Sequence, residues 1–137
     1  MLVSTKGRYA LRVMVELADR ADNGYIPLNA IAESQNISEK YLESIIVILS
    51  KAKFVDGLRG KGGGYKLSRK AEEYTVGSIL RTVEGSLAPV NCLKSDENTC
   101  ENADNCKTLP LWTKLDDIIN DYLESVSLAD LAEGKID

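Results

Sequence analysis

Two adjacent stretches decide the fold: ISEKYLESIIVILSK at 37–51 and FVDGLRGKGGGYKLS at 54–68. In the first, Ser38 is a candidate N-cap, and apolar residues at helical spacing predict a helix over about 39–51 with a polar outer face. In the second, two short runs flank a glycine-rich turn, which predicts a β-hairpin. Because a short helix precedes them, the order indicates a winged helix-turn-helix.

Apolar residues recur at helical spacing elsewhere, so the chain is predicted to be mainly α with one small β-hairpin. We expect further helices at about 5–22, 27–35, 76–84 and 109–125, and a short terminal helix opened by Ser127. In the long helix, apolar residues step by three and four: Trp112, Leu115, Ile119, Tyr122 and Val126. This heptad spacing predicts a dimerisation seam, and the alternative is packing against the first helix of the same chain.

Length and composition narrow the class of protein. The chain has 137 residues, of which 44% are apolar and 28% charged, as expected for one globular domain. It contains no histidine, the side chain that most often serves as a general base, and no set of residues assembles a nucleophile, a base and an oxyanion donor. We therefore predict a protein that is not an enzyme. Without a long apolar run, we expect it to be cytoplasmic and not associated with a membrane.

Charge is distributed unevenly along the chain. Residues 1–70 carry twelve Lys and Arg against seven Asp and Glu, whereas residues 71–137 carry five against fourteen. Within 51–70, seven cations face a single acid, Asp56. Such a stripe is typical of contact with a phosphate backbone, although a solvated surface would have the same composition.

Three cysteines, Cys92, Cys100 and Cys106, form a C-x7-C-x5-C series in an otherwise polar segment. Their odd number in a chain expected to be cytoplasmic argues against a disulfide framework. Their wide spacing and the lack of histidine argue against zinc, whereas thiolates in an open loop suit iron and sulfide. An iron–sulfur cluster needs a fourth ligand, which these residues leave open. Four carboxylates lie in the same segment: Asp96, Glu97, Glu101 and Asp104.

Four features together resemble the Rrf2 family, the group that contains IscR, NsrR and CymR, and the N-terminal half is most similar to the IscR branch. These features are the opening LVSTKGRYAL at 2–11, the run ISEKYLE at 37–43, the turn LRGKGGGY at 58–65 and the three-cysteine loop. The resemblance implies a homodimeric winged helix-turn-helix regulator which binds an imperfect palindrome in double-stranded DNA. We expect this regulator to be a repressor. It further implies that Cys92, Cys100 and Cys106 hold a 2Fe-2S cluster.

In such a regulator the third helix enters the major groove and the wing lies beside it. We expect the following residues to contact DNA: Ser38, Lys40, Tyr41 and Glu43 lie nearest to it, with Glu43 selecting a base, and Lys51, Arg59 and Lys61 neutralise phosphates. The sequence departs from the family at the fourth cluster ligand. Leu109 stands where IscR-like proteins have histidine, and Arg8 stands where NsrR-like proteins have aspartate. The first cysteine gap has seven residues, whereas five are usual in the family.

These expectations divide the chain into three parts. Residues 1–88 form the DNA-binding domain, residues 89–108 the cluster-binding cysteine loop, and residues 109–137 the dimerisation helix and C-terminal segment. One alternative is a cluster-free regulator of cysteine or sulfur metabolism that responds to thiol oxidation or to a partner. Another, from a different class, is a zinc- or partner-binding interaction module whose basic stripe is only solvated.

Overall fold

A computed structural model describes residues 3–93 and 106–136. This part of the chain contains six α-helices and one antiparallel hairpin, as predicted. The elements are α1 (Thr5–Asp19), α2 (Leu28–Gln35), α3 (Glu39–Lys51), β1 (Val55–Leu58), β2 (Gly64–Leu67), α4 (Val76–Glu84), α5 (Leu109–Ser125) and α6 (Leu128–Ala132). Short 3-10 turns lie at Ala21–Asn23, Ala71–Glu73 and Asn91–Leu93. None of the helices described is both long and apolar enough to cross a membrane.

Helix α1 lies at the centre and packs against α2, α3, α4, α6 and β2. Its predicted apolar stripe supplies much of the core, and Ala10, Val13 and Met14 have no solvent exposure. Ser4 begins the helix by accepting a hydrogen bond from the Gly7 N–H (3.0 Å). The Glu84 carboxylate of α4 accepts hydrogen bonds from both the backbone N–H and the hydroxyl of Ser4. The start of α1 is therefore fixed to the end of α4.

One charged residue is buried within this core. Glu16 is only 8% exposed, and its carboxylate accepts hydrogen bonds from Arg20 (3.1 Å) and from the amide of Gln35 (2.6 Å). A buried carboxylate is tolerated when it is paired and hydrogen-bonded in this way. Because Gln35 is the last residue of α2, the pair fixes α2 against α1.

The helix-turn-helix consists of α2 and α3. Asn36 adopts a left-handed conformation (φ 56°) and ends α2, and the Ser38 hydroxyl accepts a hydrogen bond from the Tyr41 N–H (3.0 Å) to begin α3. The bounds of α3 agree with the prediction, and so does its buried face of Leu42, Ile45, Ile46 and Leu49.

The hairpin is the wing. Strand β1 pairs with β2 in the register Val55↔Leu67 to Leu58↔Gly64. Ile26 pairs with the other edge of the hairpin as a single-residue antiparallel bridge. Its N–H donates to the Tyr65 carbonyl and its carbonyl accepts from the Tyr65 N–H, both at 2.9 Å. This bridge attaches the wing to the segment that precedes α2.

The bridge requires glycine at position 64. A Cβ atom there would lie 2.1 Å from the Ile26 carbonyl oxygen, on a backbone with φ +151°. We expect Gly64→Ala to lower the free energy of unfolding by about 2–3 kcal/mol, because the backbone contact cannot relax without displacing the wing. Chemical denaturation measures the change.

Gly62→Ala is the matched control, because φ is +78° there but nothing lies within 4 Å of an added Cβ. It should cost only about 1 kcal/mol, the strain of a left-handed alanine. Equal losses for the two variants would show that the bridge to Ile26 does not constrain the wing.

Tyr74 connects the end of α3 to the segment that follows β2. Its hydroxyl donates to the Phe54 carbonyl (2.7 Å) and accepts from the Arg69 N–H (3.1 Å), and the residue is 1% exposed. The rings of Phe54 and Tyr74 meet edge to face, and the Arg69 guanidinium lies over both. The Ser68 hydroxyl donates to the Lys53 carbonyl (2.6 Å). Helix α3 and the base of the wing are thus held together.

The predicted seam of α5 is wrong in two of its residues. Ile119 and Val126, together with Leu123, pack against Val76, Leu80 and Leu87, so they belong to a small core shared with α4. The exposed apolar stripe of α5 keeps Leu115 and Tyr122 from the prediction and adds Leu111 and Ile118, whereas Trp112 is half-buried. A heptad pattern in sequence does not show which of two neighbouring stripes is buried within the chain, and α5 carries both.

Two elements, α1 and β1, also differ from the prediction in their bounds. Helix α1 ends at Asp19, and residues Ala21–Asn23 form a 3-10 turn before Gly24, so the first helix is shorter than the expected 5–22. The sequence predicts a first strand over residues 54–59, but β1 spans only Val55–Leu58, the residues that pair with β2.

Candidate nucleic-acid interface and cysteine segment

The residues expected to read DNA lie on the first turns of α3. Lys40 and Glu43 are exposed, and so is Lys51 at the end of the helix. Ser38 is also exposed, and because the cap uses one lone pair of its oxygen, its hydroxyl can still donate one hydrogen bond and accept another. The arrangement leaves both a cation and a carboxylate free on one outer face of α3.

Tyr41 is half-buried, and its position is fixed by α1. Its ring meets that of Tyr9 edge to face, with centroids 6.0 Å apart, and the Arg12 guanidinium lies 5.0 Å from the centre of the Tyr9 ring. The Ser44 hydroxyl donates to the Tyr41 carbonyl (2.6 Å). Tyr9 was not predicted as a site residue, because this contact joins residues 32 positions apart and leaves no local signal.

The wing carries Arg59 and Lys61 in its exposed turn. Gly60 and Gly62 have φ values of +91° and +78°, and the Gly63 N–H donates to the Gly60 carbonyl (3.0 Å). Backbone without side chains can approach another surface closely. No ion pair found among residues 3–93 and 106–136 involves Arg59, Lys61 or Lys51, so within that range these charges face solvent without a carboxylate partner.

Two other cations of the 51–70 stripe are engaged with aromatic rings. The Lys66 ammonium lies 4.7 Å from the centre of the Tyr25 ring, and Arg69 stacks on Phe54 and Tyr74. Their charges remain, since such contacts do not neutralise a cation. The stripe therefore combines cations that stabilise the wing with cations available for a ligand.

The C-terminal part of α5 is attached to α4. The Arg81 guanidinium of α4 donates to the Asn120 side chain (2.7 Å) and to the Glu124 carboxylate, and this hydrogen bond holds the pKa of Glu124 below its ordinary value. The backbones also pair, since the Val76 N–H donates to the Val126 carbonyl (2.9 Å). Arg81 was not predicted to take part in this attachment. Its complementary charge to Glu124 was the available signal, but charge alone does not show which helices meet.

Two of the three cysteines lie in the described part of the chain. Cys92 is in the 3-10 turn Asn91–Leu93, and Cys106 lies three residues before the start of α5. Both are free and partly exposed. Cys100 and the four carboxylates near it lie outside the described residues, and among those described no three Cys, Asp or Glu side chains are grouped as a metal site.

Cys106 has the chemistry of a thiolate ligand. Its sulfur lies 3.3 Å from the Thr108 hydroxyl oxygen, and hydrogen bonding from Thr108 lowers the pKa of Cys106. A hydrogen bond to sulfur favours the charged form, which is both the nucleophile and the metal ligand. Three cysteine sulfurs are donors of the kind that an iron–sulfur group takes at three of its four positions, and the lowered pKa of Cys106 favours the charged form of that one donor.

We expect Thr108→Val to raise the pKa of Cys106, because the hydroxyl hydrogen bond is lost. In reduced, metal-free protein, alkylation of Cys106 by iodoacetamide should therefore be slower than in the parent at neutral pH. The two rates should converge above both pKa values, where each thiol is fully ionised. Mass spectrometry of the Cys106 peptide measures the rates across pH.

Thr108→Ser, which keeps the hydroxyl, is the control for this substitution. Alkylation of Cys92 in the same samples reports any general change in the protein. Coincident pH profiles for Thr108→Val and the parent would contradict the assigned cause.

The winged helix-turn-helix, with its basic wing and a long appended helix, defines a class of transcriptional regulators. The family model described as "Rrf2: Iron-dependent Transcriptional regulator" matches residues 3–134. The chain therefore belongs to the Rrf2 family of DNA-binding transcriptional regulators, as the sequence motifs predicted. Its relatives are regulators and not enzymes, which confirms that prediction too.

Relatives of two kinds are similar over nearly the whole chain. The regulator IscR of Pectobacterium atrosepticum is 37% identical over 135 residues, 98% of this chain and 81% of the relative. The regulator CymR of Bacillus subtilis is 38% identical over 132 residues, 96% of this chain and 90% of the relative.

Solved structures of CymR are also similar to this chain in fold and in sequence. The structure of B. subtilis CymR, described as the global cysteine regulator, has a TM-score of 0.80 at 36% identity and covers 100% of this chain and 99% of its own. An oxidized form of Staphylococcus aureus CymR has a TM-score of 0.75 at 37% identity, with 97% of each chain covered.

Proposed function

We propose that this regulator binds an imperfect palindrome in double-stranded DNA as a homodimer and represses transcription there. In each copy α3 lies in the major groove and the wing lies against the adjacent backbone. The observation that supports this most is the exposed polar face of α3, which Tyr74 fixes beside an equally exposed basic wing. The side chains assigned to DNA are Ser38, Lys40, Tyr41, Glu43, Lys51, Arg59 and Lys61.

Within this set, Glu43 is assigned a role in specificity. Its carboxylate only accepts hydrogen bonds, so in the major groove it suits the amino group of cytosine and disfavours guanine acceptors and phosphates. Lys51, Arg59 and Lys61 are assigned to phosphates, which supply affinity without sequence preference.

Selection of bound duplexes from a random-sequence library, followed by sequencing, tests the proposal. The parent should enrich a two-fold related motif that contains a C·G pair in each half-site. Glu43→Ala should enrich a motif that is degenerate at this pair, because each good base contact contributes about 1–3 kcal/mol of discrimination.

Lys40→Ala is the matched control on the same face. It removes a cation and should weaken binding without relaxing the preference at the C·G pair. A Glu43→Ala motif identical to that of the parent would remove the assigned role, and no enriched motif for the parent would contradict sequence-specific binding itself.

The dimer is proposed to form along α5. Leu111, Leu115, Ile118 and Tyr122 recur at spacings of four, three and four residues and are 37–61% exposed in the single chain. Repeated apolar residues at this spacing are typical of helices that pack on a second helix. In this arrangement residues 1–88 bind DNA, residues 89–108 form the sensing loop, and residues 109–137 hold the two copies together.

We expect Ile118→Glu to make the protein monomeric at micromolar concentration, because the substitution places a charge in the middle of the proposed seam. Analytical ultracentrifugation measures the change in mass. Binding to the two-fold related duplex should weaken in parallel, because only one half-site can then be held firmly.

Thr113→Glu introduces the same charge at an exposed position outside the stripe and should stay dimeric. A dimeric Ile118→Glu variant, or a parent that is monomeric, would contradict dimerisation through this face.

For the signal, we propose that Cys92, Cys100 and Cys106 hold a 2Fe-2S cluster. Support comes from the thiolate donor set, from the lowered pKa of Cys106, from the IscR relatives and from the family's iron-dependent description. When bound, such a cluster supplies redox chemistry and sensitivity to oxidants. The protein's part is to hold it between the end of α4 and the start of α5, the two helices that Arg81 also joins.

A cluster-free response to thiol oxidation is the second candidate. It is favoured by the CymR relatives, one described as a global cysteine regulator and another solved in an oxidized form. The same three thiols would then be the oxidisable groups.

Protein purified without oxygen distinguishes the two candidates. The cluster predicts a coloured protein with visible absorption bands and equal molar iron and sulfide, both lost in Cys92→Ala. Arg59→Ala is the control: it should keep the colour, because the wing is not part of the cysteine segment. A colourless, iron-free parent that still binds its duplex would contradict the cluster and leave thiol oxidation as the signal.

A further inference from the structure

One apolar side chain interrupts the polar outer face of α3. Val47 is 50% exposed, whereas Leu42, Ile45 and Leu49 on the opposite face have no exposure. Valine is also a weaker helix former than the residues common on solvated helix faces. Neither core packing nor helix propensity therefore accounts for a valine at this position.

Val47 lies in register with side chains already assigned to DNA. It follows Lys40 by seven residues and Glu43 by four, and it precedes Lys51 by four, so the four share one stripe of α3. All four are exposed. Along this stripe, the charged residues Lys40 and Glu43 come first, the apolar Val47 follows them, and the cation Lys51 lies at the end of the helix.

The major groove offers one apolar feature, the C5-methyl group of thymine. We propose that Val47 is a specificity-determining residue that contacts this methyl group. The inference rests on the proposed DNA binding of α3. Four residues of helix rise by about 6 Å, and base pairs are stacked about 3.4 Å apart, so the thymine should lie one or two pairs from the C·G pair assigned to Glu43.

Replacement of thymine by deoxyuridine provides the direct test, because it removes the methyl group and keeps every hydrogen bond. The probe is the duplex that the parent selects from the random library, with each thymine replaced in turn. We expect one position in each half-site to weaken binding about fourfold when replaced, which corresponds to about 0.8 kcal/mol, the contribution of one buried methylene-sized group.

The protein side of the contact is tested with Val47→Ala. This variant should bind the thymine duplex about as weakly as the parent binds the deoxyuridine duplex, and the deoxyuridine replacement should no longer weaken its binding. Glu43→Ala is the matched control, because it should keep the fourfold sensitivity to the methyl group. Since Val47 is exposed, thermal unfolding of Val47→Ala should match that of the parent.

Several outcomes would overturn the inference alone: a selected motif with no thymine on either strand within two pairs of the C·G pair, no effect of any deoxyuridine replacement, or an effect equally large in Val47→Ala. If the parent selects no motif at all, the proposed function fails and this inference fails with it. The two failures are therefore distinguishable.

Discussion

The position of α3 relative to the wing depends on the hydroxyl of Tyr74. It joins the Phe54 carbonyl, just beyond α3, to the Arg69 N–H, just beyond β2. One tyrosine hydroxyl can serve both groups because it donates and accepts, and the Phe54 carbonyl accepts a second hydrogen bond from the Ser68 N–H (3.3 Å). The Tyr74 hydroxyl thereby connects α3 to the base of the wing, and the hydrogen bond from the Ser68 hydroxyl to the Lys53 carbonyl adds to this connection.

The same segment also positions the rest of the molecule. The Tyr74 carbonyl accepts from the Leu128 N–H (2.9 Å), and Val76 pairs with Val126, so the start of α4 is bound to the residues that join α5 and α6. Arg81 strengthens this attachment one turn later. Helix α5 is thus held at its C-terminal half, while its N-terminal half carries exposed Leu111 and begins beside Cys106. In the proposed mechanism, a change at the cysteines acts on the end of α5 that is farthest from this attachment.

Local signals accounted for the features predicted correctly. The cap at Ser38 and the stripe behind it fix α3 within the segment itself, and glycines 60 and 62–64 mark the hairpin. Contacts between residues distant in sequence were not predicted. The Tyr9–Tyr41 ring pair and the hydrogen bonds of Arg81 produce no periodic pattern in the sequence. The α5 seam failed for a related reason: α4 buries one of two adjacent stripes, and only the tertiary structure shows which one.

The central claim is that each copy contacts DNA with two rigidly connected elements, α3 and the wing. Hydroxyl-radical footprinting on the selected duplex tests it most directly. We predict two protected half-sites on one face of the duplex, separated by whole helical turns, and we predict that Arg59→Ala loses the wing's protection in each half-site while that of α3 remains. A single protected patch, or a footprint that Arg59→Ala leaves unchanged, would contradict the account.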